Sequence, residues 1–228
     1  MMTHKILCLS LLTAACGFSS LRADVTLVEQ TDAMGQNVDS TILVKDGHTR
    51  VDTPIGASVI VDLKSGEVIS LMHAEKTYMK VPAQMAQAAL AFASQSPLLP
   101  QAGSMALTAT GKKDTISGYA ADEYTFAVAG KPISVWLTKA APDYVNLLKE
   151  VAAAFAQGPM GAIIKGIGLD IASLPGLPVR FAGEVQPGQT VTSTITSISS
   201  SPISDSQFAV PADYKEKPLA LPGFQPAS

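Results

Sequence analysis

The sequence predicts an α+β fold, mainly β: a wide curved antiparallel sheet, a half-barrel, with two or three helices packed on its concave face. Three observations predict it. Short runs that alternate apolar and polar residues are separated by turn signals about every 8 to 12 residues. Two stretches rich in alanine and leucine switch to helical spacing. The order along the chain is strands, helix, strands, helices, strands, which fits one antiparallel sheet with helices on one side.

The alternation is clearest where Val38, Ser40, Ile42 and Val44 interleave with Asp39, Thr41, Leu43 and Lys45. Asp46-Gly47 follows, a pair that tolerates the positive φ of a tight hairpin turn. His48 to Asp52 returns as the partner strand. Ala57 to Asp62, Glu67 to His73 and Lys76 to Val81 are the next strands, with turns at Lys64-Ser65-Gly66 and Ala74-Glu75. After Pro82 the period changes: Met85, Ala88, Ala89 and Phe92 recur at helical spacing. Strands resume at Met105 to Thr110, Asp114 to Ser117, Tyr119 to Val128 and Ile133 to Thr138, with a turn at Gly130-Lys131. Ile133, Val135 and Leu137 share one strand face and Trp136 points the other way. A second helix starts near Pro142, with Tyr144, Leu147, Leu148, Val151, Ala154 and Phe155 in an apolar stripe, and Gly158-Pro159 stops it. Residues Met160 to Leu169 are apolar with glycines, which fits a short third helix or a mobile flap. Val179 to Val185 and Thr190 to Ser199 are strands again, and Phe208 to Pro211 is the expected final edge.

Residues 1–23 read as a secretory signal peptide. Lys5 gives the positive start, Ile6 to Leu21 the short apolar core, and Ala23 the small residue before the cut at Asp24. Thr13-Ala14-Ala15-Cys16 offers a second reading, a lipoprotein anchored through Cys16, but Thr13 stands where an aliphatic residue is usual. Both cysteines, Cys8 and Cys16, lie in this segment, so the mature chain has no disulfide and no thiol chemistry. Cleavage also removes Lys5 and Arg22 and no acid, leaving 14 basic residues against 19 acidic ones, a net charge of −5. That dispersed negative charge argues for solubility and against a nucleic-acid partner, which needs a basic face. Residues 24–216 are expected to form one domain, and the proline-bearing tail 217–228 to be unstructured.

Four stretches carry a resemblance. They are Thr77-Tyr78-Met79; the run Thr110 to Tyr119 leading into Asp122-Glu123-Tyr124-Thr125; Val135 to Lys139; and Phe208 to Tyr214. Together they resemble the exported bacterial proteins of domain-of-unknown-function family 4412, over most of residues 25 to 216. The resemblance implies an architecture like that of the lipoprotein carriers LolA and LolB, a curved sheet with helices in its mouth. The family brings no established activity or catalytic residue, and lipid carriage passes to this chain only as analogy.

The residues themselves suggest little chemistry. His48 and His73, the histidines of the mature chain, each flank a turn and read as exposed loop residues. No spacing supplies the three or four ligands of a metal centre, and no cofactor is expected. There is no G-x-S-x-G elbow, although a Ser-His-Asp set assembles from distant residues and leaves no local mark. Asp122 and Glu123 are neighbours on a strand, face opposite ways, and read as surface charge. The expectation is therefore a non-enzymatic, exported cell-envelope protein, periplasmic or extracellular. Its first expected partner is a lipid or a lipoprotein acyl chain held between sheet and helices, lined by Met85, Phe92, Leu148, Val151 and Phe155. The alternative is a protein–protein interaction module of the envelope, in which those residues are ordinary core.

Overall fold

The computed structural model describes residues 24–33, 35–86, 106–128, 130–141, 144–157, 173–186 and 188–218. Twelve strands form one sheet: β1 (Val25–Ala33), β2 (Gln36–Lys45), β3 (His48–Thr53), β4 (Ala57–Asp62), β5 (Val68–Met72), β6 (Thr77–Val81), β7 (Thr108–Ile116), β8 (Tyr119–Val128), β9 (Lys131–Thr138), β10 (Leu177–Gln186), β11 (Gln189–Ser199) and β12 (Lys215–Glu216). Their order across the sheet is β12-β6-β5-β4-β3-β2-β1-β11-β10-β9-β8-β7. The chain therefore lays down two meanders, β1 to β6 and β7 to β11. It joins them where β1 pairs with β11. Every pairing is antiparallel except β12 on β6. The α-helix described, α1 (Tyr144–Gln157), follows β9.

Turn chemistry sets the hairpins. Asp46 and Gly47 both have positive φ, 49° and 82°, and so do Ser117 and Gly118, 50° and 85°. Two successive left-handed residues match the twist of the strands they join.

The sheet curls at its β7 end. Asp114 on β7 reaches Arg180 on β10 at 3.2 Å, and Ser117 Oγ donates to the Ile195 carbonyl on β11 at 2.6 Å. Strands three places apart in a flat sheet stand about 14 Å from each other. The curl closes over a small core of Ile116, Ala121 and Val179 with Trp136 against it. This is the face opposite Val135 and Leu137, which belong to the main core with α1.

Several expectations change. β1 was not read from the sequence. β7 is one strand with a register shift between Ala109 and Lys113, where two strands were expected. A helical turn lies at residues 83–86 as expected; Ala88, Ala89 and Phe92 lie outside the described residues, as do the expected signal peptide and the segment Met160 to Leu169. The expected edge at Phe208 to Pro211 is instead a 3-10 turn, Asp205–Phe208, capped by Ser204. The edge strand comes later, at Lys215–Glu216, and Lys217, placed in the tail, donates its N–H to the Tyr78 carbonyl at 2.8 Å.

Candidate functional site

The two faces of the β1–β6 half carry different chemistry. On one face Val25, Val44, Thr49, Val61, Val68 and Val81 stand directly opposite one another across six strands. The next row is Leu27, Ile42, Val51, Val59, Ser70 and Met79. The register follows from the period of two along each strand, which puts every second residue on this face. Leu27, Ile42, Val44 and Val25 continue into the main core with Phe126, Val135, Leu137 and Leu177.

Helix α1 lies on this face, with its main contacts on β10 and β2. Leu147 and Leu148 are its buried residues, while Asn146 and Lys149 are exposed, as the helical stripe predicts. Of the expected lining residues, Leu148 joins the core cluster. Met85 is half-buried on the turn after β6 and is not part of that cluster. Val151 and Phe155 belong to α1, but their side chains, like all of Phe92, lie outside the described residues.

Sequence reasoning missed Thr49. It is 4% exposed, and its Oγ1 is a buried side-chain oxygen without a hydrogen-bond partner among the described residues. Such a hydroxyl costs about 1–3 kcal/mol in desolvation that no bond offsets. Alternation with Val51 placed it on the apolar face; nothing in the sequence marked it as unpartnered.

The other face is strapped, and it mixes polar side chains with the buried Leu43, Ile60 and Leu71. Residues 203–217 cross it from β2 to β6. Lys45 Nζ donates to the Ile203 carbonyl at 2.5 Å and pairs with Asp205 at 2.8 Å. The Asp205 bond raises the Lys45 pKa, and the Asp205 pKa is lowered by the same contact. The His48 ring lies 5.9 Å from that of Phe208. At the far end Lys76 pairs with Asp213 at 2.8 Å, Tyr78 donates to Glu216 at 2.9 Å, and Lys217 pairs with Glu75. These ion pairs are largely exposed and individually weak.

Beneath the strap is a closed polar network. Asp52, Ser58 and Leu71 stand opposite one another on β3, β4 and β5. Arg50 Nε donates to Asp52 Oδ1 at 2.7 Å, Arg50 Nη2 to Ser58 Oγ at 3.2 Å, and Arg50 Nη1 to the Gln207 carbonyl at 2.8 Å. Ser58 Oγ donates to Asp52 Oδ1. A serine has one proton to give, so His73 Nε2, 2.5 Å from Ser58 Oγ, is the donor of that pair. Tyr214 Oη lies 2.6 Å from Nδ1, so both ring nitrogens are hydrogen-bonded. His73 is thus half-buried and bonded on both nitrogens, and His48 is half-buried on β3; neither is the exposed loop residue expected. A nucleophilic serine needs the reverse polarity, an imidazole that accepts its proton and a carboxylate on the far nitrogen. Here the carboxylate holds the serine, a phenol holds the far nitrogen, and Ser58 is 0% exposed. The arrangement fastens the strap rather than arming Ser58. Among the described residues no group of three or more His, Cys, Asp or Glu side chains is placed to hold a metal ion.

Glu123 corrects a second expectation. It is 4% exposed, while its neighbour Asp122 is exposed and pairs with Lys113. The irregular stretch of β7 wraps it: Thr110 Oγ1 donates to Glu123 Oε2 at 2.8 Å and Lys112 Nζ lies 3.3 Å away. The Thr110 hydroxyl, helped by Ser134 and Lys112, holds the carboxyl below its ordinary pKa against the opposing effect of burial.

A family model described as "Domain of unknown function (DUF4412)" matches residues 27–214. No curated protein matches the chain. Among solved structures, PNGF-II is 12% identical with a TM-score of 0.42, covering 86% of this chain and 31% of that one. The Pseudomonas aeruginosa MucA/MucB complex gives 11% identity and a TM-score of 0.39, covering 84% of this chain and 56% of the other. A DUF1329 family protein from Desulfovibrio piger gives 10% and 0.32, covering 82% and 90%. This chain thus spans under a third of PNGF-II and just over half of the matched MucA/MucB chain. At these identities and scores no activity, ligand or partner passes from those proteins to this one.

Proposed function

Since this chain belongs to the domain-of-unknown-function family DUF4412, we propose that it is an exported cell-envelope protein that binds a long apolar molecule on the helix-bearing face of its sheet. One observation carries the reading: beyond the helix's main contacts the rows stay apolar, and Thr49, Val61 and Val68 are buried there. Helix α1 is about 21 Å long and roughly 10 Å wide, while twelve strands span about 50 Å. Its main contacts are on β10 and β2, yet the two rows continue over β3, β4, β5 and β6 without a charged side chain. A surface of that width and composition suits an acyl chain laid across strands, with Leu148 at the edge where helix and ligand meet.

Native mass spectrometry of the protein purified from its own envelope is the test, paired with titration by the apolar fluorophore N-phenyl-1-naphthylamine. A retained lipid mass, or saturable enhancement displaced by lipid, is expected. Neither signal would overturn the reading and leave the interaction module in its place. Sequencing the mature N-terminus tests export: a start at Asp24 is expected, and an unprocessed Met1 in envelope fractions would overturn it. A diacylated Cys16 would keep the envelope location but replace the soluble form by a membrane-anchored one.

A further inference from the structure

We propose that the molecule held on this face carries an uncharged oxygen, and that Thr49 is its hydrogen-bond partner. The inference rests on the binding reading above and narrows the ligand to an acyl ester, an acyl amide or a long-chain alcohol.

Three observations converge on Thr49. It is the single interruption in a row otherwise made of valines, opposite Val44 on one side and Val61 on the other. Threonine and valine have nearly the same shape and both suit strands, so valine would fill the position equally well. Thr49 is 4% exposed, and its oxygen has no partner among the described residues. Buried polar atoms are paired in the great majority of cases, and the exceptions call for an explanation. A ligand oxygen supplies one, because the hydroxyl both donates and accepts.

The surroundings choose among ligand oxygens. Val25, Val44, Val61, Val68 and Val81 share the row, and Leu27, Ile42, Val51, Val59, Ser70 and Met79 form the next. Neither row offers a cation. A carboxylate or phosphate there would be desolvated without a counter-charge, which an ester carbonyl or alcohol avoids. The charged end of an amphiphile therefore lies away from Thr49, and the neutral linkage next to the chain lies against it.

The test compares wild type with Thr49→Val and Thr49→Ser in the intact mature protein. Displacement of N-phenyl-1-naphthylamine is measured with hexadecane, palmitate, methyl palmitate and 1-hexadecanol. Wild type is expected to favour the ester and the alcohol over hexadecane by roughly three- to tenfold, the range of one net hydrogen bond. The ester and alcohol arms separate a carbonyl acceptor from a hydroxyl. In Thr49→Val that preference should vanish while fluorophore binding persists and the thermal midpoint holds or rises. Thr49→Ser should keep most of it. Fluorophore binding with the same preferences in Thr49→Val would overturn the Thr49 assignment and leave the binding reading standing. A preference for palmitate abolished by Thr49→Val would overturn the uncharged class. No binding by any variant would remove both.

Discussion

The two faces of the β1–β6 half are built from the same strands and solve burial in opposite ways. On the helix-bearing face the opposing positions are mostly valine, leucine and isoleucine, and the hydroxyl of Thr49 has no partner among the described residues. On the strapped face Asp52, Ser58, His73 and Tyr214 each have a partner, and Arg50 ties three of its donors to them and to the strap. A completed network fixes one arrangement, because any shift of the strap leaves several groups unpaired at once. An apolar face has no such preference for a particular neighbour, since dispersion and burial are non-directional. The strapped face is thus suited to hold a segment of its own chain, and the apolar face, on the binding proposal, to exchange what lies on it.

The sharpest way to break this comparison is Leu71→Ala. Leu71 is 0% exposed beneath the strap, so the truncation should cost about 2–5 kcal/mol in urea unfolding. A loss under roughly 1 kcal/mol would mean that the strapped face is loosely packed. Leu148→Ala probes the other face. Leu148 is 5% exposed at the inner side of α1, and the same truncation should cost less, about 2 kcal/mol, if the protein already makes room for a ligand there. Equal losses at both sites would count against an exchangeable face. Tyr214→Phe removes one bond to His73 and should cost about 1 kcal/mol. Its signature is local: proteolysis within residues 203–217 should quicken while the urea midpoint moves little.

The fourth prediction concerns acid. The Glu123 pKa is lowered in the folded protein, so its contribution to stability is complete above the ordinary glutamate value of about 4.3. It is lost as the pH falls through the lower folded value. Glu123→Gln should therefore flatten the acid limb of stability against pH below about 4.3, and leave the curve parallel to wild type above pH 6. An unchanged acid limb would show that the Thr110 and Lys112 contacts are not made in solution. The smallest expected effect is none: reductant should leave the thermal midpoint of the mature protein unchanged, because Cys8 and Cys16 precede Asp24.

Most of the strands were legible because their signals are local. Alternation and the Asp46-Gly47 pair located β2 and β3, and Ala57 to Asp62 and Tyr119 to Val128 match β4 and β8 to the residue. β1 was missed because Glu29-Gln30-Thr31-Asp32 reads as polar; its place comes from partners on both sides, β2 and β11, the second of which is far away in sequence. The strap was misread for a similar reason. Phe208 to Pro211 has strand composition, yet its position follows from Arg50 and His48, about 160 residues earlier. Glu123 looked like surface charge because the residues that bury it, Thr110 and Lys112, sit on a strand whose irregular register the sequence does not announce. Among the candidate lining residues, the burial of Leu148 was legible from helical spacing. Thr49 was not, because whether a hydroxyl finds a partner depends on what faces it across the sheet.

The place of β1 in the middle of the sheet also sets a schedule. When the chain emerges N-terminus first, β1 to β6 can pair in turn, each with the strand before it, but the far edge of β1 waits for Gln189–Ser199. For that interval the half-made molecule presents an unpaired row of backbone donors and acceptors along Val25–Ala33, a template for the wrong strand. A nascent chain of this kind gains from an escort that keeps it extended until its last hairpin has arrived.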